Sequence, residues 1–212
     1  MEQLGFFNDD PGRPASPKDL KFRSISNETL NLIAREKHYL HREVNSNWAF
    51  GAYHKEFLFG AISFAKPANP TLCDAICGEE ARLRVYELNR LWMDDRCPKN
   101  SESRFIGWAL RELSNVKPHL ILVSYADSAF GHMGRVYKAT NWVYTGLTKT
   151  HFDKVFPDGR HPRSVTPSDR SSAETVVRER SRKHRYVYFY DPIDRANLAW
   201  ETFVYPDKVL PE

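Results

Sequence analysis

Four consecutive apolar residues, Leu120-Ile121-Leu122-Val123, limit what this chain can become more than any other segment. An uninterrupted apolar run this short reads as a strand covered on both faces, and covering both faces of a sheet takes helices. The neighbouring patterns supply them. Before the run, Asn100 or Ser101 can start a helix whose buried stripe is Phe105, Ile106, Ala109, Leu110 and Leu113, and before that Val85–Met93 has strand character. After it comes a helix marked by Gly131 and Gly134 and carrying Val136, Tyr137 and Ala139, then a strand at Trp142-Val143-Tyr144. Strand, crossover helix and strand make a central parallel pair.

The upstream segments add an antiparallel part. Residues 20–25 alternate apolar and polar as a half-buried strand does, and Ser26 or Asn27 can cap a helix burying Leu30, Ile33 and Ala34 and running through Lys37 toward His41. Trp48–Tyr53 and Phe57–Phe64 read as a hairpin about His54-Lys55-Glu56. The expected fold class is α/β, a mixed sheet flanked by helices. Residues 1–18, with three prolines, read as a loose arm; 19–147 form the core; 148–212 form a basic extension packed on it. In that extension the run Arg178-Glu179-Arg180-Ser181-Arg182-Lys183-His184-Arg185 leads into a strand at Tyr186–Tyr190, followed by a helix from Pro192 to Phe203.

Composition excludes several classes. At 41% hydrophobic and 27% charged residues the chain is globular and not disordered. A net charge of +4 permits an anionic partner without demanding one. No apolar stretch approaches the roughly 20 residues of a membrane span, and no secretory leader opens the sequence, so a reducing cytoplasm is expected. Cys73, Cys77 and Cys97 lack the second pair that a finger-like zinc site needs.

Five constellations can carry chemistry. The strand through Arg90 enters Pro98-Lys99-Asn100-Ser101-Glu102-Ser103-Arg104 and opens onto a helix N-terminus, where unpaired N–H groups and the helix dipole favour a phosphate. Alternatively Ser101 only caps the helix and Arg104 is solvated. Ser124 and Asp127 lie at and just beyond the end of the most buried strand, where open α/β sheets gather ligands; Asp127 is either a base or anchor, or the cap of the next turn. Tyr137 can give a proton to a leaving thiolate, although a core tyrosine would look the same, and His132 can titrate or be structural. His38 and His41 share a face if the first helix reaches them, and with Asp127 they can form a metal site. Arg178, Arg180, Arg182, Lys183 and Arg185, backed by Arg160, Arg163 and Arg170, can neutralise phosphates while the following aromatics stack on bases.

The stretches Glu87–Gly107, Leu122–Gly146 and Lys183–Phe189 together resemble the phage Mom DNA-modification family, over about residues 20–190. That family is similar in turn to the GNAT acyltransferases, which implies a mixed sheet with splayed central parallel strands and acetyl-CoA between them. In place of the usual Gly-rich phosphate loop the sequence offers hydroxyls and Arg. The resemblance implies conversion of adenine in double-stranded DNA to its N6-carbamoylmethyl form, protecting phage DNA from restriction in the host cytoplasm. On this reading Arg90, Ser101, Ser103 and Arg104 hold the cofactor, Ser124 and Asp127 orient or deprotonate the amine, and Tyr137 is the acid. An iron requirement attributed to the family falls on His38, Tyr39 and Asp127. The rival expectations are a GNAT N-acetyltransferase of a protein or small amine, and a non-catalytic DNA-binding anti-restriction protein. Whether the chain works as a homodimer is left open.

Overall fold

The computed structural model describes residues 12–156 and 175–206. Nine strands are described: β1 (Lys21–Ser24), β2 (Trp48–His54), β3 (Phe57–Ala65), β4 (Val85–Met93), β5 (Ile121–Asp127), β6 (Val143–Leu147), β7 (Phe152–Val155), β8 (Val176–Glu179) and β9 (Lys183–Phe189). The helices are α1 (Asn27–Glu36), α2 (Pro70–Cys77), α3 (Ser101–Val116), α4 (Arg135–Lys138) and α5 (Pro192–Ala196). Seven strands form one sheet in the order β1-β2-β3-β4-β5-β9-β6, antiparallel except for β4 with β5. β7 and β8 make a separate two-stranded ribbon.

The apolar run behaves as expected. Leu120, Ile121, Leu122 and Val123 are each 0% exposed, because the α3 and α4 side covers one face of β5 and the α2 side the other. Side chains alternate along the strand, so Leu122 and Ala126 pack with Phe105, Ile106 and Tyr137, whereas Ile121, Val123 and Tyr125 pack with Cys73, Ile76 and Val187. The strand is longer than the run, ending at Asp127, so Ser124 lies within it.

Three local departures have identifiable causes. α1 ends at Glu36 instead of reaching His41, because the His38 imidazole takes the Leu40 N–H at 3.1 Å and turns the chain; His38 and His41 therefore share no helical face. The expected helix from Pro192 to Phe203 is one short helix, α5, after which the chain is laid over neighbouring elements: Ala199 N–H donates to Ile76 O and Phe203 N–H to Tyr144 O. The basic run does not stop before ordered structure, since β9 begins at Lys183 and sits between β5 and β6. Gly134, at φ +67°, must be glycine on two counts: a Cβ there would stand 2.4 Å from the Tyr186 ring. Among the described residues no helix is long and apolar enough to cross a membrane.

Candidate active site

β4 and β5 stay in register only from Val85↔Ile121 to Leu88↔Ser124. Beyond that rung β4 continues to Met93 and β5 to Asp127 without pairing, so the two strands part toward their carboxyl ends. Ser124 closes the apex. Its Oγ donates to Leu88 O at 2.9 Å and lies 2.7 Å from the Tyr137 hydroxyl. A serine has one proton, and the Leu88 carbonyl takes it, so the tyrosine O–H donates to Ser124. Tyr137 is 5% exposed, and burial raises its phenol well above the ordinary range, keeping it protonated. Ser124 and Tyr137, separate expectations from sequence, are thus one hydrogen-bonded unit.

On the face that carries α3 and α4 lies a cavity of about 350 Å³. Its lining comes from the loop after β4, the first turn of α3 and the side of α4, and includes Lys99, Ser101, Ser103 and Arg135. The N-cap of α3, Asn100, is left-handed at φ 73° and makes no side-chain cap, so neither Asn100 nor Ser101 takes up the first-turn N–H groups in the way a capping residue does. Among the described residues the buried Ser101 hydroxyl has no partner, and Ser103 donates to Asn100 O at 3.1 Å. Asp95 and Glu102 also line the cavity, while Asp94 is held by Arg96 at 2.9 and 3.0 Å. Arg135 had no signal in the sequence, since only the fold brings α4 against α3.

Two of the four residues expected to hold the cofactor are elsewhere. Arg104 donates to Leu20 O at 3.1 Å and lies over the Phe22 ring, fastening α3 to β1. Arg90 extends from the parted end of β4, donates to Asn89 O at 2.7 Å, and keeps its Nε buried with no partner among the described residues. Its electrostatic neighbours are Tyr39 and Glu87.

Asp127, 5% exposed, is saturated. It receives the Ala129 N–H at 3.1 Å, the Ser181 hydroxyl at 2.7 Å and the Lys183 ammonium at 3.2 Å, so it caps the following turn and ties β9 to β5. The neighbouring carboxylate, Glu87, is half-buried, and removal from water raises its carboxyl above the usual range despite Lys183 and Arg90 nearby. No hydrogen bond ties it among the described residues, and sequence reasoning treated it only as a strand residue.

The expected iron site is not assembled. Among the described residues no three His, Cys, Asp or Glu side chains gather as a metal-binding group. Asp127 is committed to Lys183 and Ser181, and His38 uses Nδ1 on Leu40. Burial, foremost, and then Arg90 lower the His38 imidazole to about 4, so it is neutral near pH 7. The three cysteines are free.

The basic run divides. Arg178 is exposed on β8, and Arg180 is exposed and pairs with Asp153 at 3.2 Å. Arg182 is exposed and donates to Thr148 O at 2.9 Å. Lys183 holds Asp127, and Arg185 stacks 3.5 Å over Trp200 while bonding Thr145 through two nitrogens. Arg160, Arg163 and Arg170 lie outside the described residues.

Known proteins agree with this frame. A ribosomal-protein-S5-alanine acetyltransferase from Vibrio fischeri superposes with a TM-score of 0.51 at 10% identity, covering 82% of this chain and 94% of that one. A putative acetyltransferase from Acinetobacter baylyi ADP1 does so with a TM-score of 0.50 at 11% identity, with the same coverages. The fold is therefore that of the GNAT acetyltransferases. In sequence, the chain is 29% identical over 199 residues to the methylcarbamoylase mom of Escherichia phage Mu, spanning 88% of this chain and 82% of that protein. The model of the Mom protein family matches residues 19–207, and this chain belongs to that family.

Proposed function

We propose that the protein modifies adenine in duplex DNA, converting it to the N6-carbamoylmethyl form and so shielding phage DNA from host restriction. The observation that carries this reading is the parting of β4 and β5 beyond Ser124, with the Ser124–Tyr137 pair at its apex, the cavity beside the Met93 end of β4, and Glu87 one rung before the parting. A relative named a methylcarbamoylase over most of its length supports the reaction class. An acyl-CoA is the donor that the acetyltransferase fold favours. Its pyrophosphate would meet Lys99, Ser101, Ser103, Arg135 and the uncapped turn of α3.

The chemistry asks for both a base and an acid. The adenine amine is a weak nucleophile because its lone pair is delocalised into the ring, and the base must leave the stack to reach an enclosed site. The product joins N6 to a methylene carbon, so attack at a thioester carbonyl does not form it. Acyl transfer is therefore a first stage that a second must follow: N6 attacks the thioester carbonyl, the N–C bond forms as the C–S bond breaks, the CoA thiolate is the leaving group, and N6 sheds a proton. Glu87 takes that proton, since burial brings its basicity closer to neutral. Tyr137, aligned by Ser124, returns one to the leaving group. Asp127 acts through position, holding the β5 tip to β9.

The test is to express the protein, digest host DNA to nucleosides and look for a heavier deoxyadenosine by mass spectrometry. Tyr137→Phe and Glu87→Gln are each expected to lower the yield by at least ~100-fold with unchanged thermal melting. An unmodified nucleoside pool beside acetylated protein or polyamine would replace this reading with that of an ordinary N-acetyltransferase. Protection that vanishes when the DNA is purified would replace it with a masking DNA-binding protein.

A further inference from the structure

Aromatic rings from two distant chain segments meet beside the parted strands. Tyr39 stands in the turn after α1, and Phe130 and His132 follow β5. The Tyr39 ring lies 4.4 Å from that of Phe130 and 5.5 Å from His132, edge-on to the latter. His38, buried and neutral, stacks on Tyr39 at 4.4 Å and fixes its ring. Phe130 is nonetheless 52% exposed. The cluster sits at the carboxyl end of β5, where that strand has already parted from β4: the His132 N–H donates to Asp127 O at 3.2 Å, and the turn after α1 brings Tyr39 against the same segment.

Single exposed apolar residues are ordinary on protein surfaces. Here the exposed ring belongs to a braced aromatic group. Such a group offers a flat, sequence-tolerant surface, which is what an unstacked base seeks after losing its neighbours. The buried Arg90 Nε, a donor with no acceptor among the described residues, lies in the same neighbourhood, and the ring nitrogens of adenine are acceptors.

We infer that Tyr39, Phe130 and His132 form the stacking wall for an extruded purine, setting its exocyclic amine toward the gap between β4 and β5. This rests on the DNA-modification reading and specifies how that substrate is held. The experiment measures binding of the full chain, without cofactor, to a fluorescent dT strand with one central adenine and to the same strand with an abasic site there. The wild type is expected to bind the adenine strand about tenfold more tightly. Phe130→Ala should bring that ratio near one while leaving affinity for the abasic strand unchanged, and Phe130→Trp should restore it. An undiminished ratio in Phe130→Ala, or no preference in the wild type, overturns the stacking wall. The nucleoside digest of wild-type DNA keeps the two ideas separate: an adduct together with an undiminished ratio removes only the wall, whereas absence of any adduct removes the modification reading itself.

Discussion

Arg178 and Lys183 stand five positions apart in one basic run, yet they occupy different physical worlds. Arg178 and Arg180 project from the exposed β7–β8 ribbon, whereas Lys183 and Arg185 are part of β9, inside the main sheet. There the alternation of the strand sets Lys183 opposite Asp127 and Arg185 opposite Tyr125. Charge of one sign, continuous in sequence, is thus divided into a solvated half able to meet phosphates and a half spent on holding β9 in place. Clustered arginines mark an interface only where the backbone leaves them facing water.

That contrast can be broken by substitution. Lys183→Ala leaves the Asp127 carboxylate buried without its cation and should cost about 3 kcal/mol in urea denaturation, most of it recovered in the double variant with Asp127→Asn. A cost near zero would place Lys183 with the solvated half. Arg185→Ala removes the stack on Trp200 and two bonds to Thr145, and about 2 kcal/mol is expected by the same assay. Arg178→Ala and Arg180→Ala should shift stability by no more than about 0.5 kcal/mol, since both arginines are exposed and the pair Arg180 makes with Asp153 is at the surface. On the proposed DNA-modification reading their effect is expected in DNA binding: affinity should fall alike for all sequences, and the slope of log K against log salt should shrink by about one for each. Unchanged salt slopes would deny the ribbon any part in holding DNA.

Periodicity made much of the fold legible. The stripe from Phe105 to Leu113 on α3 and the β2–β3 hairpin are where the pattern of apolar residues puts them, because burial alone decides those positions. The place of β9 was not legible, since Lys183 and Arg185 look like surface until Asp127 and Trp200 are seen across from them. α5 stops early for a related reason: Phe203 bonds the backbone of Tyr144, a tertiary choice that no local propensity encodes. In the candidate site, the placement of Ser124 on β5 and Tyr137 on α4, and of Ser101 and Ser103 in the first turn of α3, was legible from the strand and helix patterns. Arg104 and Arg135 could not be sorted, because a guanidinium that fastens β1 and one that lines a cavity have the same sequence signature.

The order of the strands has a consequence for synthesis. Among the described strands β6 pairs with β9 alone, and the free edge of β5 is filled by that same late segment. When a ribosome has delivered residues 1–147, β6 has no partner and β5 presents a bare edge, the kind of template that recruits other chains. The sheet therefore closes only after β9 has emerged, and a stop codon anywhere before the end of β9 should yield insoluble fragments in place of a smaller folded protein.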